Sequence, residues 1–391
     1  MDITLVINPG SASKKYALFN GDTRILSVLF ERVGDGYGKC VEIDTTRQKC
    51  ESATVQIFES SIEETIAIAI REGVIESTKD IARVGMRIVA PGTFFETHRL
   101  LDEVYIRNLK KMEDAAPLHI SSILRERTLL LKLLPEIPCI GVSDSAFHTT
   151  IPEYVRRYSI PRVDREAFDV YRFGYHGLSV SSVLHAASKI LGTHAKRIVV
   201  CHVGSGVSVT AVREGKSIDT TMGFSPTSGL MMNSRSGDLD PGALLYLMKK
   251  KHLTAPEAET YVAKEGGFTG ILGQSDLRIA LDRSARGEVE AKIAIDMFIY
   301  QVQKAVGGSI AALGGLDALI LTGTAAERNS YVRTRICKGL EGLGLLLDEK
   351  INEDHALKNA TVHQLESSVK ILVINTNEMG EIAKVANTFI S

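Results

Sequence analysis

The chain opens on an apolar run, residues 3–7 (ITLVI), that breaks at once into Asn8-Pro9-Gly10-Ser11-Ala12-Ser13. Apolar residues resume at 15–19, so the pattern predicts strand, small polar turn, strand. The same plan returns in the middle. Residues 197–201 (RIVVC) lead into His202-Val203-Gly204-Ser205-Gly206, and 207–212 (VSVTAV) follow before the turn Arg213-Glu214-Gly215-Lys216. Two hairpins about 190 residues apart, each carrying a Gly/Ser turn, predict a duplicated unit with one copy per domain rather than a solenoid. Buried strands are also predicted at 139–142, 316–321 and 369–374, where short apolar runs end in turn residues. Apolar residues at three- and four-residue spacing predict helices at 62–72, 120–134, 179–190, 241–251, 291–313 and 378–386. The 156–169 stretch (RRYSIPRVDREAFD) is the expected crossover between the halves.

Composition narrows the function classes. The chain has 391 residues, 44% hydrophobic and 24% charged, which suits two globular domains. A net charge of −1 offers no basic field for nucleic acid and no polybasic run for a membrane surface. No stretch of about 18 apolar residues occurs, and the N-terminus lacks the pattern of a signal peptide. The five cysteines, Cys40, Cys50, Cys139, Cys201 and Cys337, form no C-x-x-C pair. A disulfide framework or structural zinc site is therefore not expected, and a reducing cytoplasm is.

Gly/Ser hairpin turns suit phosphate, because they expose backbone N–H groups without side-chain crowding. The first turn adds Asn8 and Lys15, and the second adds His202. Neither is a Walker loop, and hairpin formation alone also explains them. Residues 223–240 (GFSPTSGLMMNSRSGDLD) place Arg235 in a run of turn formers, where its planar fork can pair with an anion, or with Asp238 or Asp240. Arg172 and His176 sit in Tyr171-Arg172-Phe173-Gly174-Tyr175-His176-Gly177, which is not helical in pattern. His176 there could donate to developing negative charge. Asp144 and His148 follow an apolar strand, and Glu378 follows another. Each acid could bind a divalent cation or cap a helix. No Gly-x-Ser-x-Gly elbow or His-Glu-x-x-His cluster occurs, and Cys201 reads as a buried strand residue.

Taken together and in order, these blocks resemble the acetate kinase family over nearly the whole chain. The opening Asn8 to Tyr16, Ala116-Pro117-Leu118-His119, the segment from Asp144 to His148, Phe173 to Gly177, and Met222 to Asp240 carry the resemblance. So do Phe268-Thr269-Gly270 with Ser275-Asp276-Leu277-Arg278, and Thr376-Asn377-Glu378. The resemblance implies an α/β fold of two duplicated actin-like (ribonuclease H-like) domains with an interdomain cleft. The expected domains are 1–150 plus about 376–391, and 151–375 for the nucleotide. It implies a cytoplasmic homodimer that transfers a phosphoryl group between ATP/ADP and a short carboxylate with Mg²⁺, or Mn²⁺. It implies Arg87, Asp144, His176 and Arg235 as the catalytic set, and Asn8 and Glu378, with Asp144, on the metal side. Arg87, Val89, Leu118 and Pro226 would surround the carboxylate. Ser11, Ser13, Lys15, His202, Gly204 and Gly206 would hold phosphate, with Ser275, Asp276, Arg278, Thr324 and Ala326 nearer the nucleoside.

The chain also departs from that family. Met86-Arg87-Ile88-Val89-Ala90-Pro91-Gly92 lacks two of the family's histidines, Tyr175 replaces a phenylalanine, Ile120 an asparagine and Ser205 another. Thr324 and Ala326 stand where glycines are usual, and Arg328 where asparagine is. Added β-carbons restrict backbone and space. The alternatives are therefore another nucleotide or pyrophosphate as donor, propionate or butyrate as acceptor, or a catalytically silent relative.

Overall fold

The computed structural model describes residues 2–10, 13–34, 36–44, 47–192, 194–354 and 358–389, apart from the side chain of Leu118. They form two compact units, 1–146 with 377–391, and 147–376. The chain passes into the second unit ahead of the 156–169 stretch, which there forms the short helix Arg162–Ala167 and its flanks.

The first unit holds an eight-stranded sheet among the described residues. Its strands are β1 (Ile3–Pro9), β2 (Ser13–Asn20), β3 (Thr23–Val33), β4 (Gly36–Ile43), β5 (Arg47–Ala53), β6 (Ile81–Ile88), β7 (Arg99–Leu100) and β8 (Cys139–Ser143), in the order β5-β4-β3-β2-β1-β6-β8-β7. Strand β1 is buried along its whole length because both of its faces are covered. Ile3, Leu5 and Ile7 join the main core with Ile120, Ile123 and Leu130 of the helix Pro117–Leu133. The alternate residues turn to the helix Glu378–Phe389, where the Thr4 hydroxyl donates to Asn387. On β6 the same face is so close to that helix that a Cβ on Gly85 would lie 2.8 Å from Ile382. Only glycine lets the helix settle there.

The second unit holds β9 (Arg197–Val203), β10 (Val207–Arg213), β11 (Lys216–Thr220), β12 (Ala318–Thr322), β13 (Ala360–Thr361) and β14 (Lys370–Val373), in the order β11-β10-β9-β12-β14-β13. Five strands of each sheet therefore repeat one plan. An antiparallel meander, β1-β2-β3 or β9-β10-β11, is followed by two strands parallel to its first, β6 and β8 or β12 and β14. Ile198 and Val200 pack on Val180, Val183 and Ala187 of the helix Gly177–Leu191, and the long helix Val289–Leu313 packs on β9 and β10.

One expectation is corrected. Cys40 and Cys50 form a disulfide, because β4 and β5 pair them directly across an antiparallel ladder. The odd cysteine count concealed this, since neighbouring-strand register is invisible in spacing alone. Strands β3 to β5 were also unread, because β3 and β4 alternate only partly between buried and more open positions and β5 is exposed along almost its whole length. The remaining cysteines are buried, and burial pushes the Cys139, Cys201 and Cys337 thiols up to about 12, so they are inert at neutral pH. No described helix is long and apolar enough to cross a membrane.

Candidate functional site

In the first unit the period-two alternation of the sheet decides which polar groups meet. Asn8 follows Thr4 on the face of β1 that carries the helix Glu378–Phe389, and Arg87 follows Gly85 on the same face of β6. Glu378 begins that helix. Consequently the Asn8 amide donates to Glu378 Oε2 at 3.3 Å, and Arg87 donates to Asn8 Oδ1 at 3.3 Å. Arg87 also donates to Asp144 Oδ2 at 2.8 Å, just beyond the end of β8, and lies 3.9 Å from Glu378. Burial alone would weaken the Arg87 charge, but the Asp144 and Glu378 carboxylates outweigh it and hold the guanidinium's pKa above its ordinary value.

Asn8, Asp144 and Glu378 are hard oxygen donors, two of them carboxylates. That set suits Mg²⁺, which prefers one or two carboxylates and completes its shell with water and phosphate oxygens. Among the described residues no group of three or more His, Cys, Asp or Glu is placed to hold a metal ion.

Lys15 sits directly opposite Asn8 on the β1–β2 ladder, so its side chain and that of Ser13 share the Asn8 face. Lys15 is exposed. Its neighbour Lys14 points the other way and is buried against Glu126 at 2.8 Å. Ser11 lies outside the described residues, as does the Leu118 side chain. Val89 is buried just past the end of β6.

In the second unit, register again assembles the site. Ser208 of β10 faces His202 of β9 across the ladder, so both look towards the start of the helix Gly177–Leu191. His176 caps that helix in the left-handed conformation, φ 60°. A histidine held there signals a site that constrains it. Its Nδ1 lies 2.9 Å from Ser208 Oγ, and His202 Nδ1 lies 2.8 Å from Ser179 Oγ. The two imidazoles stack at 4.3 Å.

The turn 204–206 lies beside these rings. A Cβ on Gly206 would stand 3.0 Å from His176 Nε2 and 3.6 Å from an Arg235 nitrogen, and one on Gly204 would stand 3.3 Å from His202 Nε2 and 3.8 Å from the Thr324 amide nitrogen. His176, His202 and Arg235 thus converge on one glycine turn, with the Thr324 amide close by.

Arg235 donates to the Pro226 carbonyl at 3.0 Å. Asp238 instead receives the Gly229 amide, and Asp240 caps the helix Pro241–Lys251. The loop closes because Gly237, at φ 73°, lies against the backbone of Gly229 to Met231, where a Cβ would come within 2.7 Å of Gly229 O. Pro226 is buried beneath the guanidinium. The Tyr175 hydroxyl donates to the Phe224 carbonyl and anchors the same loop. His148 is a buried brace: its ring nitrogens meet Ser217 and the Tyr175 carbonyl.

Asp276 and Arg278 pair at the start of the helix Leu277–Ala285, where Asp276 is the cap. Ser275 beside them is exposed. Thr324 begins the helix Thr324–Arg328 with its side chain exposed, whereas Ala326 is fully buried. Beneath it Arg333, also buried, donates to the Ala326 and Glu327 carbonyls and to Asn352. Glu327 receives the Thr322 hydroxyl and the Gly323 and Thr376 amides. Reading motifs gave no role to Ser179, Ser208, Glu327 or Thr376. A symmetric hairpin about 205 pairs 202 with 208, and that arithmetic was the available signal.

The sequence matches the Acetokinase family over residues 3–384. It is 37% identical over 387 residues to the acetate kinase of Carboxydothermus hydrogenoformans, covering 97% of each chain. It is 33% identical to that of Sulfurovum sp., over 99% of this chain and 98% of the other. Among solved structures, acetate kinase from Porphyromonas gingivalis superposes with a TM-score of 0.87 at 32% identity over the full length of both chains. A propionate kinase from Francisella tularensis superposes at 0.89 with 30% identity, over 99% of this chain and 100% of that one.

Proposed function

The chain belongs to the acetokinase family, and from that premise we propose that it reversibly transfers the γ-phosphoryl group of ATP to a short-chain carboxylate, giving an acyl phosphate and ADP. The observation that carries this reading is the convergence of His176, His202 and Arg235 on the turn 204–206.

The acceptor needs no base, since a carboxylate is ionised at pH 7. One of its oxygens forms a bond to the γ-phosphorus as the bond from that phosphorus to the bridging oxygen breaks, and ADP leaves with that oxygen. No proton has to move. The protein's task is in-line positioning and charge cancellation around the three equatorial oxygens. In the second unit the Ser205 and Gly206 amides, the His176 and His202 rings and the Arg235 fork would meet the phosphates, the Gly204 amide being taken by the Gly206 carbonyl. In the first unit Arg87 is braced by Asp144 so that its fork is preorganised, and Ser13 and Lys15 stand on the Asn8 face. Asn8, Asp144 and Glu378 would hold Mg²⁺, which supplies further positive charge to the phosphates when bound. Val89, Pro226 and Leu118 would limit acyl length.

Purified protein with ATP and Mg²⁺ is expected to form a hydroxylamine-trappable acyl phosphate from acetate, with propionate and butyrate compared in parallel. A second reading, a changed phosphoryl donor, rests on the exposed Thr324 side chain beside the 204–206 turn. Product from pyrophosphate and none from ATP would establish it, and no turnover with any donor or acid would sink both.

Gly206→Ala places a methyl against His176 and Arg235. Overpacking of this kind costs about 1–3 kcal/mol, so kcat/KM is expected to fall roughly tenfold to a hundredfold. Unchanged kinetics would show that the turn does not need bare backbone.

The protein is proposed to be a cytoplasmic homodimer, since ATP is supplied there and the Cys50 side of the disulfide is open to reductants. Val289, Ile293, Met297 and Tyr300 form an exposed apolar stripe at helical spacing on the helix Val289–Leu313. A second copy would cover it. Light scattering should give twice the 42.6 kDa chain mass, and Ile293→Glu with Met297→Glu should halve it. A monomeric parent protein at micromolar concentration would refute this.

A further inference from the structure

We infer that Ser179 and Thr376 are positioning residues that fix the neutral His202 ring as the tautomer protonated at Nε2, so that it presents an N–H to the 204–206 turn. The inference deepens the proposed function, since it rests on reading that turn as the holder of phosphate.

A count of hydroxyl protons sets the tautomer. A hydroxyl has one to give. Ser182 Oγ gives its own to the Ser179 carbonyl at 2.8 Å. Thr376 Oγ1 lies 2.8 Å from Ser179 Oγ, to which it donates, and 3.4 Å from Ser182 Oγ. Because Ser179 Oγ receives the Thr376 proton, its own is available for the next neighbour, His202 Nδ1 at 2.8 Å. A nitrogen that accepts a hydrogen bond carries no proton, so in the neutral ring the proton sits on Nε2. That nitrogen is the one beside Gly204. The opposite tautomer would need Ser179 to accept from both sides. Its own proton would then lack either neighbour in this buried pocket.

The first member of the relay is itself held. The Thr376 amide donates to Glu327 Oε1 at 3.0 Å, and the same oxygen receives the Gly323 amide at 2.9 Å. Glu327 also takes the Asn375 side-chain amide at 3.0 Å. Thr376 and its preceding neighbour Asn375 are thus tied through Glu327 to the loop that leads into Thr324, which fixes the direction of the Thr376 hydroxyl. A phosphate oxygen near Gly204 then meets a donor rather than a lone pair, and the difference between these two is the purpose of the relay.

The test is the nitrogen spectrum of the full-length protein labelled with ¹⁵N-histidine, recorded without substrate at a pH where the ring is neutral. The His202 signals are assigned by difference from His202→Asn. The expected result is a protonated Nε2 and a bare Nδ1 in the parent protein. Thr376→Val should produce a mixture of tautomers, and Thr376→Ser should restore the parent pattern. In kinetics, Ser179→Ala and Thr376→Val should raise KM for the nucleotide about tenfold, the value of one hydrogen bond of roughly 1–1.5 kcal/mol, with a smaller change in kcat. Thr376→Ser should return it. A parent spectrum with the proton on Nδ1, or a Thr376→Val spectrum identical to the parent, overturns the inference. Because the spectrum needs no turnover, failure of the kinase assay would remove the proposed function without deciding the tautomer.

Discussion

Arg235→Ala should lower kcat for acyl phosphate formation by roughly 10²–10³, about 3–4 kcal/mol in the barrier, the size seen when one preorganised donor is removed. The guanidinium is held before substrate arrives. It donates to the Pro226 carbonyl, contacts the Met232 sulfur and lies near Gly206, while Asp238 and Asp240 are engaged elsewhere. Held in this way, the guanidinium would meet a phosphoryl group with little reorganisation cost. Arg235→Lys should not rescue, because an ammonium cannot span two phosphate oxygens as a planar fork does. Stopped hydroxamate assays at saturating ATP and acetate measure the effect, with a denaturant melt to show that the fold survives. A fall of less than fivefold would remove Arg235 from the transition state and leave it a loop brace.

The second large effect concerns stability. Glu126→Ala is expected to cost about 3–5 kcal/mol, the penalty for leaving one member of a buried ion pair alone. Glu126 is fully buried and Lys14 nearly so, and their charges meet at 2.8 Å. Tyr16 donates to the other carboxylate oxygen at 2.7 Å, and Lys14 also reaches the Phe58 carbonyl. Burial, and then the Glu126 charge, raise the Tyr16 pKa well above its usual value, so that the phenol stays a donor. Without Glu126 the Lys14 ammonium keeps the Phe58 carbonyl but, among the described residues, no counter-charge. Replacing both partners, as Lys14→Met with Glu126→Leu, should recover most of the loss, since the desolvation penalty of both ions is removed together. Urea unfolding followed by fluorescence and circular dichroism reads the midpoint. A single-mutant loss below about 1 kcal/mol would mean that water reaches Lys14.

Both predictions turn on where neighbouring residues point. Lys14 and Lys15 are adjacent cations in one strand, yet one is buried against a helix and the other is exposed beside Asn8. Composition cannot separate them, but a period of two does once one residue's face is known. Arg87, Asn8, Asp144 and Glu378 span most of the chain and meet because β1 and β6 turn the same face to one helix and β8 ends beside them.

What the sequence determined by itself was the reaction class and the duplicated plan. Glycine and serine turns at 8–13 and 202–206, the 223–240 loop and their order along the chain are local features, and local backbone preferences write them directly. Tertiary structure alone decided the partners. The Cys40–Cys50 bond, the Lys14–Glu126 pair and the Thr376–Ser179–His202 relay join residues through strand register and helix packing. Those contacts depend on which faces meet, and a linear pattern that specifies each element leaves that choice to the packing of all of them together.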